Sequence, residues 1–117
     1  MAIYIKTDLP QSLVMSIREM IDKEQIRTWK YDNEGDFTHS NYQWENHAWF
    51  TPIFDNDMLI FGIIGRKDMN LSAVDYAIYH GRFVEMLLTH FDTMCQSIEI
   101  TPLATKYDSI YYDRITI

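Results

Sequence analysis

The chain has 117 residues, with 17 Asp and Glu against 10 Lys and Arg, and a formal net charge of -7. That length suits one domain with its own core, and 1–117 is read as a single domain that needs neither disulfides nor a metal to hold it. A chain this acidic lacks the clustered cations that general nucleic-acid binding demands.

The one cysteine, Cys95, cannot form an intramolecular disulfide, which points to a reducing, cytoplasmic compartment. The N-terminal residues lack the basic and apolar regions of a signal peptide. No apolar run approaches the ~20 residues that span a bilayer, so no membrane association is expected. Neither a linker nor an internal repeat divides the chain.

Ile3, Tyr4 and Ile5 open the chain as a short strand. Asp8, with Pro10 and Gln11 following, reads as a helix start of capping-box type. Leu9, Leu13, Ile17, Met20 and Ile21 then keep helical spacing, which predicts an amphipathic helix from Leu9 to Glu24. From Ile26 the period changes to two. Trp29 and Tyr31 lead into the turn 33–36, and Phe37 to His39 returns, which predicts a hairpin.

A second hairpin follows, with arms His47 to Phe54 and Met58 to Ile64 around Asp55-Asn56-Asp57. The return arm is apolar at nearly every position, so it is expected at the centre of a sheet with both faces covered. Pro52 places its partner arm at an edge or a bulge. Ser72 and Asp75 form a capping box for a helix that runs to Phe91 or Asp92. Its expected apolar face is Tyr76, Ala77, His80, Phe83, Val84, Leu87, Leu88 and Phe91. Gly81, in mid-helix, suggests a close approach of helix to sheet. Ser97 to Leu103 and Ser109 to Ile117 are the last strand-like stretches.

These elements predict an α+β two-layer sandwich, a mostly antiparallel sheet with two helices on one face. With one hairpin set aside, the order contains β-α-β-β-α-β, the ferredoxin-like or split-βαβ arrangement.

Charge is unevenly placed. The first thirty residues carry +1, the next thirty -6 and the remainder -2. No Lys or Arg occurs from Tyr31 to Gly65, while Asp32, Glu34, Asp36, Glu45, Asp55 and Asp57 do. Trp44 lies in the polar connection between the hairpins and is the candidate exposed aromatic. These seven residues are the candidate binding surface for a basic protein partner, with carboxylates steering encounter and an aromatic ring as anchor. The function expected is a non-catalytic interaction module, such as an inhibitor or immunity-type protein.

The alternative is a small ligand-binding domain or enzyme with a pocket around His80, lined by Tyr76, Tyr79 and Phe83. A second alternative is an oligomer-forming structural domain, a homodimer through the C-terminal strand Ser109 to Ile117. His39 and His47 could approach each other across the hairpins as a metal or acid–base pair. No histidine or cysteine has zinc-site spacing, 32–36 matches a calcium loop badly, and no phosphate-binding glycine motif occurs. No cofactor and no catalytic residue are implied.

Overall fold

The hairpin expected from His47 to Ile64 builds the middle of the sheet. Strand β4 (Ala48–Asp55) pairs antiparallel with β5 (Met58–Gly65) from Ala48↔Gly65 to Asp55↔Met58. Only Asn56 and Asp57 remain for the turn, and Asn56 takes a φ of +55°, a conformation asparagine tolerates better than most residues. The remaining elements of the computed structural model, which describes residues 1–109, arrange themselves around this hairpin. They are β1 (Ile3–Lys6), α1 (Pro10–Asp22), β2 (Trp29–Tyr31), β3 (Phe37–His39), α2 (Ala73–Phe91), a 3-10 turn (Asp92–Met94) and β6 (Ser97–Ile100). The fold is α+β, as the sequence predicts.

The six strands form one sheet in the order β2-β3-β4-β5-β1-β6, with every neighbouring pair antiparallel. With the β2–β3 hairpin set aside, β5 lies between β1 and β4, and β1 lies between β5 and β6. The edge expected at Pro52 is corrected, because β4 lies between β3 and β5. The short β3 meets β4 at Phe37↔Phe50, so Pro52, two residues further on, removes no donor from that ladder.

Both helices supply one core. Leu13, Val14 and Ile17 of α1 and Tyr79, Phe83 and Leu87 of α2 share a buried cluster with Ile3, Ile5, Phe37, Phe50 and Phe61. Phe83 is the hub, with ring centroids 4.7 Å from Phe61, 4.8 Å from Phe50 and 4.9 Å from Trp29. Truncating such a ring to alanine costs about 3–5 kcal/mol.

The return arm is covered on both faces, as expected. Its second cover is the segment after β6, which folds back across the face opposite the helices. Asp108 Oδ1 accepts from Ile63 N at 2.9 Å. Ser109 N donates to Ile63 O and Gly65 N to Ser109 O, each at 2.9 Å. Asp108 Oδ2 holds the loop through Thr105 N and Thr105 Oγ1 at 2.7 and 2.9 Å, and its side chain is fully buried. Gly62 makes this passage possible, because a Cβ there would stand 2.0 Å from Tyr107 O. Beyond Ser109, which bridges Ile64 in parallel, the C-terminal strand expected to 117 lies outside the described residues.

Four local expectations are corrected. Helix α1 starts one residue later than predicted, with Leu9 rather than Asp8 at the N-cap and no side-chain cap bond. Pro10 at N1 brings the pre-set φ that fixes this start, and Thr7 Oγ1 accepts from Leu9 N at 3.2 Å. The helix stops at Asp22, and Glu24 turns left-handed at φ +60°. The strand expected from Ser97 to Leu103 ends at Ile100. Gly81 is exposed with nothing within 4 Å of a Cβ built on it, so no close helix–sheet approach explains it. Finally, the buried face of α2 is rotated from the predicted one. Asp75, Tyr79 and Met86 are buried, whereas Ala77 and Leu88 are exposed.

Candidate functional site

Strand direction decides which turns can act together. Antiparallel order puts the β2–β3 turn and the β4–β5 turn at one end of the sheet, and the β3–β4 connection at the other. Asp32, Glu34, Asp36, Asp55 and Asp57 therefore share an end, while Trp44 and Glu45 sit at the opposite one. The seven predicted residues do not make one surface.

Their roles also separate. Asp32 Oδ1 accepts from Glu34 N and Asp36 N, each at 3.0 Å, so this carboxylate builds the turn, with Gly35 at φ +82° completing it. Aspartate in this position competes well for local backbone donors. Asp36 is buried, 8% exposed. Burial raises its pKa, opposed by a hydrogen bond with Thr51. Arg18, on α1, reaches Gly35 O at 3.1 Å and lies over the rings of Tyr31 and Phe37, each 5.7 Å from its Cζ. Of the predicted residues, Asp32, Glu34, Asp55 and Asp57 are the ones exposed at this end, where exposed Lys6 also ends β1 opposite Met58. Phe54 stands beside them at 43% exposure.

At the other end, Glu45 is engaged with Lys30 at 2.7 Å. Trp44 is half-buried against the core, not the exposed anchor expected. Tyr42, 88% exposed, is the aromatic that this connection presents. Both Trp44 and Tyr42 sit in the polar run 41–46. Hydropathy alone cannot say which ring turns inward.

Tyr79, absent from the expected apolar face of α2 but buried, explains part of this. Its hydroxyl bonds the Trp44 carbonyl and lies 3.1 Å from Thr38 Oγ1. Burial raises the Tyr79 pKa, so its hydroxyl stays protonated as a donor.

The histidines fall into three environments. His80 is 3% exposed. Nδ1 faces Tyr76 O at 2.7 Å, and Nε2 faces the carbonyl of Met1. A neutral imidazole has one N–H, so only the protonated ring could donate to both. Burial, the larger effect, lowers the His80 pKa, and the two carbonyls oppose it. With Phe83 at the centre of the aromatic core and the Tyr76 hydroxyl bonded to Pro102 O at 3.2 Å, these predicted pocket residues are tied into packing and backbone bonds.

His39 is 2% exposed and sits 5.2 Å, ring to ring, from Trp29. Burial, and then the charge of Arg82, lower its pKa. Nδ1 accepts from Asn41 N at 3.1 Å. Among the described residues, buried His39 Nε2 and Trp29 Nε1 have no hydrogen-bond partner. His47 does not join His39. It bonds Asp75 Oδ1 through Nδ1 at 2.8 Å.

Asp75, expected as half of the Ser72 capping box, is buried. Its N–H caps on Ser72 Oγ at 3.0 Å, while Oδ2 accepts from the same hydroxyl at 2.8 Å. The capping box thus orients a carboxylate that in turn orients His47. The signal was present in Ser72 and Asp75, but the partner 28 residues earlier was not readable from spacing. No group of three or more His, Cys, Asp and Glu side chains suited to a metal occurs among the described residues. Among them, no helix is long and apolar enough to cross a membrane.

Comparison with protein-family models, with curated proteins and with solved structures finds no match to this chain.

Proposed function

We propose that the protein is a non-catalytic interaction module that receives a basic partner on the acidic end of its sheet. The observation that carries this reading is topological. Two turns from separate hairpins place Glu34, Asp55 and Asp57 at one end, within a stretch that has no Lys or Arg from 31 to 65. Phe54, exposed beside them, supplies an apolar contact that charge alone would lack. Carboxylates so placed raise the association rate with a cationic surface, and an adjacent ring slows dissociation. Inhibition of a basic enzyme is one activity this surface could perform. The single cysteine suits a reducing cytoplasm.

The structure also selects the informative variant. Reversing Asp32 or Asp36 would break the turn or bury a lysine, so loss of binding would say nothing about recognition. Glu34→Lys, Asp55→Lys and Asp57→Lys change exposed side chains only. Lys/Arg-rich displayed peptides should yield binders whose association rate falls with salt, and the triple variant should lose them. If no cationic peptide is selected, or the triple variant retains those that are, the reading is wrong.

A further inference from the structure

The sheet has two edges, and they differ. β2 forms one edge and β6 the other, where among the described residues β6 pairs only with β1. Thr101 N donates to Ala2 O at 3.2 Å, continuing the register Ile3↔Ile100, Tyr4↔Glu99 and Ile5↔Ile98. Antiparallel ladders alternate, so residues 97, 99 and 101 direct their backbone groups to β1, and Ile98 and Ile100 direct theirs outward. The same two side chains lie on the helix face, opposite buried Ile5 and Ile3.

Above this edge the rotated face of α2 leaves Leu88 exposed and Val84 half-buried. With Cys95, Ile98 and Ile100 they line an apolar groove of about 330 Å³. Leu88 is 55% and Ile100 40% exposed, and no lining side chain is charged.

We infer that this edge and groove are covered by a second copy of the chain, with β6 pairing antiparallel to β6 of the partner subunit about a two-fold axis at Ile98. The proposal is independent of the acidic end. Three observations favour a copy over another occupant. The outward backbone groups of Ile98 make a self-complementary pair, because two-fold symmetry sets Ile98 opposite its own equivalent with both hydrogen bonds exchanged. In that register Glu99 faces Ser97 of the partner subunit, and the two glutamates stand diagonally, about 7–8 Å apart, rather than directly opposed. Charge placement also agrees. β4, which carries Asp55, is three strands from β6, so the two copies hold these turns seven strand spacings apart. At about 4.8 Å per spacing that is roughly 34 Å, several times the ~8 Å Debye length at physiological salt. A -7 chain can thus self-associate at this edge with little repulsion from its acidic turns.

The test is sedimentation equilibrium on the full chain up to millimolar concentration, beside Leu88→Lys and Ile100→Lys. Both residues are exposed, and near-UV circular dichroism checks each fold. A monomer–dimer equilibrium is expected, weakened about tenfold or more in each variant, because the dimer would bury an unpaired ammonium. Amide exchange gives a readout independent of mutation. The N–H groups of Ile98 and Ile100 should exchange more slowly as concentration rises. A chain that stays monomeric throughout refutes the proposal. So does a dimer that both variants form equally well, or one in which those two amides gain no protection, since either outcome assigns the contact to another surface or partner.

Discussion

Gly62→Ala tests whether the chain after β6 is an integral cover for β5. The added methyl would lie 2.0 Å from Tyr107 O and 2.8 Å from Tyr107 C, both backbone atoms. A carbon and a carbonyl oxygen approach to about 3.3 Å at closest, so 105–109 must retreat by about 1.3 Å. The bonds at stake are Asp108 to Ile63 N, Ser109 N to Ile63 O and Gly65 N to Ser109 O, each at 2.9 Å. A retreat of that size takes them past useful geometry.

Each such bond contributes about 1 kcal/mol net, water recovers part, and overpacking by itself costs about 1–3 kcal/mol. A loss of about 2–4 kcal/mol is expected. Urea unfolding should show a lower midpoint at unchanged slope, and limited proteolysis should cut within 101–109 sooner. Gly81→Ala is the internal control. It sits on an exposed helical surface with open space around it, so it should gain about 0.5–1 kcal/mol. If Gly62→Ala costs less than about 0.5 kcal/mol, the segment does not seal the sheet in solution.

Two further predictions concern pH. Burial lowers the pKa of both His39 and His80 below the ordinary 6.5. The unfolded chain then takes up protons first, so stability is full above pH 6.5 and falls as pH drops below it; a urea midpoint flat from pH 7.5 to 5 would contradict this. Asp36 has the opposite sign. Burial raises its pKa above 3.8, so its ionised form opposes folding at neutral pH. Asp36→Asn should match or exceed the parent's stability at pH 7, with any advantage shrinking as acid protonates the parent carboxyl. A clear loss of stability in this variant at neutral pH would show that the charge itself is needed.

The local rules did well where one periodicity held without interference. The 48–65 hairpin, the Ser72–Asp75 cap and the end of α2 at Phe91 follow from alternation, capping chemistry and helical spacing. They failed where a distant element chose between locally equivalent options. A wheel drawn on α2 cannot know which arc the sheet will cover. Tyr79 turned inward because Thr38 and the Trp44 carbonyl wait for its hydroxyl, and Leu88 was left outside. The burial of Asp75 is not legible from its cap, because its partner, His47, lies on a connection that only folding brings near.

Composition alone sets the charge of -7, and residue order sets its concentration between 31 and 60 and, through two periodicities, the α+β content. Only the tertiary structure decided what that charge could do. Strand order sent Glu34, Asp55 and Asp57 to one end and Glu45 to the other. Burial withdrew Asp36 from solvent, and the turn claimed Asp32. The physical reason is that a carboxylate's charge belongs to its residue. Its field belongs to the strand that positions it and to the donors it meets there.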